Sequence, residues 1–184
     1  MNVVASRSQL RASFLRWALL SVPAVMLAGF FSASLSGSGA ENFWFASLVK
    51  PEISPPAETF PIVWGILYLA MGLSLAFVCA AWGARGRFAA ILVFLLQLAA
   101  NLLWSPLFFI AHQITAALYV LIALDVLVLI TIILFWRVRK LAALLLLPYL
   151  AWILFATAIN YEILQLNPGA DGGPQAASVQ RFEI

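Results

Sequence analysis

Five long apolar segments constrain this chain more than any other feature of its sequence. They cover roughly residues 15–35, 60–82, 88–110, 114–136 and 141–165. A helix needs about 20 predominantly apolar residues to cross the hydrocarbon core of a bilayer, so each segment is long enough to span a membrane. The segments use most of the 184 residues and leave no room for a soluble domain of useful size. We therefore predict an all-α integral membrane protein built as a bundle of five transmembrane helices.

The composition agrees with this class of protein and argues against several others. Hydrophobic residues make up 65% of the chain and charged residues only 9%, and a soluble domain of that composition would expose large apolar patches. Cys79 is the only cysteine and His112 the only histidine, so neither a disulfide framework nor a metal site is expected. The sequence contains no nucleophile triad, and we assign no catalytic residue. The arginines are dispersed at helix ends, which does not favour a nucleic-acid partner.

The basic residues predict how the bundle is oriented in the membrane. If the helices alternate in direction, eight of the ten lysines and arginines fall on one side. These are Arg7, Arg11, Arg16, Arg85, Arg87, Arg137, Arg139 and Lys140. Because short cytoplasmic loops are enriched in Lys and Arg, this side is predicted to be cytoplasmic and to include the N-terminus. The bacterial inner membrane is the expected location of a helical bundle with this bias.

The two ends of the chain are expected to lie outside the bundle, which takes residues 14–167. Residues 1–13 are polar and basic and are predicted to be frayed. Residues 168–184, rich in Gly, Ala and Gln, are predicted to be a disordered tail. A competing interpretation treats the N-terminus as a cleavable signal peptide, because arginines and an apolar stretch precede the small residues at positions 38–40. Cleavage there would leave four helices.

Residues 36–58 form the one long loop, between the first and second helices. Three prolines stiffen its second half. Its first half contains Phe43, Trp44 and Phe45, which argue against disorder because such side chains favour packing. A long loop in a compact bundle is usually functional or disordered, and we predict that this one folds over the end of the bundle as a lid.

Aromatic and amide residues recur at helical spacing in three of the predicted helices. They are Phe60, Trp64 and Tyr68 in the second helix, Gln97, Asn101, Trp104, Ser105 and Phe108 in the third, and Trp152, Ala156 and Asn160 in the fifth. Residues three or four positions apart share one face of a helix. Amides that face lipid are costly, so these faces should turn inward. They either line a cavity for a flat ligand or hydrogen-bond between helices as packing contacts.

Four other side chains stand out. Asp125, near the middle of the fourth helix, is either a proton or cation site or a hydrogen-bonded aspartate facing another helix or a dimer partner. Lys50, in the long loop, either meets an anionic ligand group or is simply solvated. Trp82 and Trp136 lie at helix ends beside arginines and are predicted to be anchors at the membrane interface.

Four runs of sequence resemble the motifs of a known family. The runs are Trp44-x3-Leu48-x-Lys50-Pro51 with Pro55-Pro56, Phe60-Pro61-x2-Trp64-x2-Leu67-Tyr68-x2-Met71-Gly72, Gln97-x3-Asn101-x2-Trp104-Ser105-Pro106-x-Phe108-Phe109, and Pro148-Tyr149-x2-Trp152 with Ala156-Thr157-x2-Asn160. Their order and spacing are similar to those of the tryptophan-rich sensory protein family, the bacterial relatives of the mitochondrial translocator protein or peripheral benzodiazepine receptor. The resemblance covers about residues 15–167.

The resemblance implies a five-helix bundle, commonly a homodimer, with a pocket open toward the long loop. It implies porphyrins as ligands, protoporphyrin IX above all, and no obligatory cofactor. The matched positions expected to line the pocket are Trp44, Trp64, Gln97, Asn101, Trp104, Trp152, Ala156 and Asn160. Tyr68, on the same helix face as Trp64, and Lys50, as a partner for a propionate, complete the predicted ligand-binding set.

Three positions depart from the family pattern. Tyr161 stands where some bacterial members have the second tryptophan of a pair associated with light- and oxygen-dependent porphyrin breakdown. Ile53 replaces an aromatic residue in the loop, and Gln165 replaces an arginine at the end of the last helix. Without that arginine the proposed cholesterol pattern is incomplete, and we do not predict specific sterol binding.

The function predicted from the sequence is therefore a membrane receptor, a porphyrin-binding sensor or regulator. In this hypothesis a tetrapyrrole enters from the side of the long loop and stacks on Trp64 and Trp152. Gln97 and Asn101 hydrogen-bond its polar edge, and the loop closes over it. Two alternatives remain open. One is a tetrapyrrole transporter with a coupling role for Asp125, and the other is an enzyme that degrades porphyrin in light and oxygen.

Overall fold

The computed structural model describes residues 6–39 and 41–172, and this part of the chain is helical without strands. The helices are α1 (Arg7–Leu35), α2 (Phe43–Ser47), α3 (Thr59–Cys79), α4 (Arg87–Phe109), α5 (Ile114–Val138), α6 (Lys140–Leu145) and α7 (Leu147–Leu166). Helices α1, α3, α4 and α5, and α6 together with α7, give five segments long and apolar enough to cross a membrane. The predicted fold class, a five-helix membrane bundle with a long loop between its first two spans, is confirmed.

The first span begins earlier than the sequence pattern predicts. Helix α1 starts at Arg7 rather than near residue 15, because Ser6 forms a capping box with Gln9. The Ser6 hydroxyl accepts from the Gln9 backbone N–H at 3.3 Å, and the Gln9 side chain accepts from the Ser6 backbone N–H at 2.8 Å. Such a box satisfies two N–H groups at the helix start. Residues 6–13 are therefore helical or capping rather than frayed, and residues 1–5 lie outside the described part.

The last span is interrupted near its start. Helix α6 ends at Leu145, and α7 begins at Leu147 with Pro148 in its first turn. Proline lacks a backbone N–H and its ring crowds the carbonyl four residues earlier, so a helix commonly breaks just before it. The sequence predicts one helix over 141–165, whereas the chain makes two helical segments that together form the fifth span.

Close contact between α1 and α3 depends on two glycines. A Cβ atom on Gly72 would lie 2.6 Å from the backbone Cα of Val22, and one on Gly29 would overlap the ring of Tyr68. Ser21 adds a hydrogen bond from its hydroxyl to the Gly72 carbonyl at 2.8 Å. Small residues spaced by four also lie along α1 at Ala24, Ala28 and Ser32. Of these, Ser32 donates from its hydroxyl to the Leu102 carbonyl of α4 at 2.8 Å, whereas Ala24 is exposed. Small residues allow two helices to approach closely, and between α1 and α3 the small residues at the contact are the two glycines.

Candidate ligand-binding site

The first group of aromatic and amide side chains lies inside the bundle, where α3, α4 and α7 meet. It consists of Trp64, Tyr68, Gln97, Asn101 and Tyr149, and we refer to it as the interior cluster. Trp64 stacks on Tyr68 with ring centroids 5.2 Å apart, and its edge meets Tyr149 at 6.4 Å. The predicted spacing of four residues on α3 accounts for the stack, because it places both rings on one helix face.

Two tyrosines hold the amides of the interior cluster. The Tyr68 hydroxyl donates to Oδ1 of Asn101 at 3.1 Å, linking α3 to α4. The Tyr149 hydroxyl donates to Oε1 of Gln97 at 3.0 Å, linking α7 to α4. Gln97 is 1% exposed and Asn101 is 7% exposed. Both amides therefore turn inward as predicted, and their oxygens make the interhelical bonds that the packing interpretation requires.

One donor of this cluster remains unpaired. Nε2 of Gln97 is buried and has no hydrogen-bond partner among the described residues. The same holds for Nε1 of Trp152 on α7. Buried polar groups in folded proteins are paired with few exceptions, so an unpaired donor in the interior of a bundle points to a missing partner.

Asn160 behaves differently from the other amides. Its Oδ1 accepts from Nε1 of Trp104 at 3.2 Å, and its Nδ2 donates to the backbone carbonyl of Ile114 at 3.1 Å. Its side chain thus ties α7 to both α4 and α5. Both ends of the Asn160 amide are therefore hydrogen-bonded between helices, as expected if it serves as a packing contact, one of the two roles that the sequence left open.

The second aromatic group lies at the end of the bundle, beneath the long loop. It consists of Trp44, Phe45, Trp104, Phe108 and His112, and we refer to it as the lid cluster. Trp44 is 4% exposed. Its ring stacks on His112 at 4.3 Å and meets Phe108 edge-on at 5.4 Å, and Trp104 stacks on Phe108 at 5.2 Å. The loop packs over the bundle end, in the position predicted for a lid.

Local hydrogen bonds shape the loop for this packing. Asn42 caps the short helix α2, since its Oδ1 accepts from the backbone N–H of Phe45 at 2.9 Å. A cap of this kind fixes the start of a helix too short to be stable alone. Trp44 thereby points from α2 onto the bundle.

The chain after α7 packs against the same end of the bundle. The Asn167 side chain accepts from the Val49 N–H and donates to the Val49 carbonyl, both at 2.9 Å. The Asp171 carboxylate accepts from the backbone N–H of Thr115 at 3.0 Å and from its hydroxyl at 2.5 Å. The predicted disordered tail, residues 168–184, is thus wrong at its start, because residues 168–172 follow a defined path. Residues 173–184 lie outside the described part.

Trp152 and Ala156 lie on the α7 face that continues from the interior cluster. Trp152 is half-buried, meets Phe60 edge-on at 5.8 Å and lies 5.7 Å from the ring of Phe155. Its ring also lines an apolar groove of about 430 Å³ between α3 and α7. Ala156, also half-buried, follows one turn later and links this face to Asn160.

Of two charged residues singled out by the sequence, Asp125 lies outside both clusters, whereas Lys50 lies over a ring of the lid cluster. Lys50 is exposed, with its ammonium 4.7 Å from the ring centroid of Phe45. Asp125 accepts a hydrogen bond from the Thr157 hydroxyl at 2.9 Å, so it faces α7, one of the two predicted arrangements. Within the described residues, no three His, Cys, Asp or Glu side chains come together as a metal site.

Tyr149, named above only as part of the Pro148-Tyr149 motif and not as a predicted ligand-binding residue, is central to the site. Its side chain is 0% exposed, it contacts Trp64, and it orients Gln97. Tyr149 lies three residues before Trp152, a spacing that places both on one face of α7. From that spacing the sequence could have placed Tyr149 in the predicted site together with Trp152.

Fold and site together define a multi-pass membrane protein with an aromatic and amide site inside its bundle and an aromatic lid over one end. Residues 21–166 match the model of the TspO/MBR family, and the chain belongs to that family. It is 37% identical over 150 residues to the tryptophan-rich protein TspO of Chlorobaculum tepidum, covering 81% of this chain and 94% of the relative. It is 37% identical over 127 residues to the protein CrtK of Rhodobacter capsulatus, covering 68% and 79%. The translocator protein of Homo sapiens is 39% identical over 150 residues, covering 79% and 87%.

Proposed function

We propose that this protein binds a porphyrin inside its helix bundle and acts as a sensor or regulator. The observation that carries the proposal is the interior cluster, where stacked aromatic rings adjoin a buried amide donor that has no partner in residues 6–39 and 41–172. Flat rings provide stacking surfaces for a flat ligand, and small-molecule sites combine an apolar lining with a few convergent polar groups. Membership of the TspO/MBR family supports the same conclusion.

Binding in this position requires the aromatic rings to separate. Trp64 rests on Tyr68, and Trp152 lies against Phe60, so in the ligand-free arrangement these rings cover one another. A tetrapyrrole would replace these contacts with stacking on Trp64 and Trp152. Trp44 would then close the site from the loop side. Lys50, exposed at the end of a flexible side chain, would pair with a propionate.

We further propose that the protein lies in the bacterial inner membrane as a homodimer, with its N-terminus in the cytoplasm. The distribution of the basic residues supports the orientation. Labelling single cysteines introduced at Arg85 and Glu52 with a membrane-impermeant thiol reagent tests it. Labelling of the Glu52 position alone in intact cells supports the proposed orientation, and labelling of the Arg85 position alone excludes it.

The decisive experiment is a titration of the detergent-purified protein with protoporphyrin IX in the dark, followed by tryptophan quenching. Wild type is compared with Trp64→Phe/Asn101→Ala and with the control Trp82→Phe/Gln165→Ala, whose positions are exposed. Saturable quenching at about one porphyrin per chain, weakened only by the interior variant, is expected if each lost contact is worth about 1 kcal/mol. Equal and non-saturating quenching in all three proteins would contradict the proposal.

A transport function has one observation in its favour. Oδ1 of Asp125 is buried in a membrane span without a partner in the described part of the chain, and ionisable groups in spans often serve ion or proton pathways. Porphyrin flux into proteoliposomes, measured for wild type and Asp125→Asn, tests this. Saturable flux in wild type that the variant loses would establish transport.

Porphyrin breakdown is less well supported than binding. Tyr161, at the position of the second tryptophan in some bacterial members, is 53% exposed, whereas Trp64 is half-buried and packs against the core. Illuminating the porphyrin complex and following the loss of porphyrin absorption tests it. We expect the absorption to decay no faster than in a Trp64→Phe variant that has been saturated with porphyrin.

A further inference from the structure

The hydrogen bonds of the interior cluster have a common direction. The oxygens of Gln97 and Asn101 each accept a hydrogen bond from a tyrosine hydroxyl. Three buried side-chain atoms of the described residues have no partner: Nε2 of Gln97 and Nε1 of Trp152, which are donors, and Oδ1 of Asp125 on α5, an acceptor outside the interior cluster. The two tyrosine hydroxyls therefore pair with the amide oxygens of the interior cluster, and a donor of Gln97 is the group that remains free to bind a ligand.

The orientation of the Gln97 amide follows from the burial of Tyr149. A tyrosine hydroxyl has one hydrogen to donate, and Tyr149 is 0% exposed, so its hydrogen needs an acceptor within the protein. With the amide turned around, the Tyr149 hydrogen would meet an NH2 group, and Oε1 of Gln97 would lose its donor. The observed orientation leaves one unpaired group instead of two, so Tyr149 fixes which end of Gln97 is free.

Asn160 shows that unpaired donors are not a general feature of the amides in this bundle. Both ends of its side chain are hydrogen-bonded, to Trp104 and to the Ile114 carbonyl. Among the described residues, the buried donors without a partner are confined to Gln97, in the interior cluster, and Trp152, three residues after Tyr149 on α7.

We infer that the interior site selects ligands whose polar edge carries hydrogen-bond acceptors, as a carboxylate or carbonyl does. Gln97 and Trp152 donate to that edge, and Tyr149 acts as a positioning residue that keeps the Gln97 amide turned toward it. The inference rests on the proposed function and deepens it by naming the ligand chemistry that the site recognises. A flat ligand of the same size with only alkyl substituents leaves both donors unpaired and is bound less tightly.

Two porphyrins distinguish this inference from binding by stacking alone. Protoporphyrin IX carries two propionates, whereas etioporphyrin has the same macrocycle with alkyl substituents only. Both are titrated in the dark into wild type, Gln97→Met, and the control Gln165→Met, which makes the same change at an exposed position of α7. We expect Gln97→Met to weaken protoporphyrin IX binding by about tenfold to a hundredfold, the range for hydrogen bonds to charged groups. Etioporphyrin binding should change less than threefold, and the control should match wild type.

The ratio of the two affinities is the readout, because a general loss of folding affects both porphyrins alike. Tyr149→Phe provides a second measurement that keeps Gln97 in place. Released from its tyrosine, the amide can turn either end to the ligand, so the preference for protoporphyrin IX should fall while etioporphyrin binding persists. Trp152→Phe retains an aromatic ring but removes the N–H together with part of the ring surface. The lost surface weakens both porphyrins alike, and the lost N–H should lower the preference for protoporphyrin IX.

The outcomes separate the inference from the proposed function. If wild type binds both porphyrins saturably and Gln97→Met weakens both equally, the inference is wrong and porphyrin binding stands. If wild type binds neither porphyrin saturably, the proposed function is wrong and the inference falls with it.

Discussion

The interior cluster and the lid cluster use the same kinds of side chain but differ in how completely their polar neighbours are paired. Around the lid, Asn160, Asn167 and Asp171 each make at least two hydrogen bonds to neighbouring segments. Beside the interior cluster, two buried donors have no partner among the described residues. The polar groups named at the lid end are hydrogen-bonded, whereas the interior keeps buried donors without a partner.

This difference shows where the fold tolerates an energetic cost. A buried donor without a partner costs about 1–3 kcal/mol, and such costs are typically found at functional sites. Aromatic content alone does not distinguish the two regions, since rings stack in both. The pairing of the polar groups does distinguish them, and it supports our proposal that the interior recognises the ligand and that the lid closes over it.

Among the variants that affect the two clusters differently, Gly29→Ala is expected to cause the largest loss of stability. Its new methyl group would overlap the ring of Tyr68, so the interior cluster must shift while the lid cluster keeps its contacts. Overpacking of this kind costs about 1–3 kcal/mol. Thermal unfolding in detergent should show the loss, and porphyrin affinity should fall with it.

Gly65→Ala is the matched control, since a Cβ there meets nothing within 4 Å. Alanine favours a helix over glycine by about 1 kcal/mol, so this variant should be as stable as wild type or slightly more so. Equal destabilisation by both variants would show that the contact with Tyr68 is not the cause.

Asn160→Ala should separate stability from ligand recognition. It removes the acceptor for Trp104 and the donor for the Ile114 carbonyl, and leaves buried groups unpaired at a cost of about 2 kcal/mol. The melting temperature should fall, while the ratio of protoporphyrin IX to etioporphyrin affinity stays at its wild-type value. A changed ratio with an unchanged melting temperature would place Asn160 in the recognition site instead.

Asn167→Ala should loosen the lid with a smaller effect. The variant loses both hydrogen bonds to Val49, and we expect a cost of about 1 kcal/mol, or roughly a fivefold faster release of porphyrin. Stopped-flow displacement of bound protoporphyrin IX measures the rate. Gln165→Ala, at an exposed position on the last turn of α7, serves as the control. Identical release rates in the two variants would mean that Asn167 does not hold the lid.

The smallest effect is expected from Asp171→Asn. Helix α5 has no side-chain cap from its own N-cap residue, Gln113, and Asp171 supplies one from a distant part of the chain. A negative charge at a helix N-terminus contributes about 0.5 kcal/mol, and salt screens it. Thermal unfolding at low and high salt should show a small loss that shrinks as salt increases. Glu52→Gln, in the exposed loop, should show no such loss.

Much of the fold follows from the sequence because a membrane imposes simple requirements. Each span must be apolar and about 20 residues long, so the five segments could be counted directly. Helical spacing also predicted that Trp64 and Tyr68 share a face and that the amides turn inward. Residues 43–45 predicted a packed loop, because aromatic side chains are costly to leave in water. Trp44 and Phe45 do pack on the bundle, whereas Phe43 is 83% exposed, so the prediction is wrong for that residue.

Hydrogen-bond pairing between helices could not be read in the same way. Spacing along one helix fixes which residues share a face, but a partner on another helix depends on how the two helices are rotated and shifted. Nothing in the spacing of Gln97, Asn101 and Asn160 distinguishes the amide that is fully paired from the amide that keeps a free donor.

The sequence by itself determined the class of protein, its five spans, its lid and the set of aromatic and amide residues from which a site could be built. Only the tertiary structure decided that Tyr149 hydrogen-bonds Gln97, that both ends of the Asn160 side chain are paired between helices, and that the segment after α7 bonds the long loop. The physical reason is that these two kinds of information depend on different distances. Hydrophobic burial and helix periodicity act along the chain and are written in its order, whereas a hydrogen bond requires two groups within about 3 Å, a distance that only the packed bundle sets.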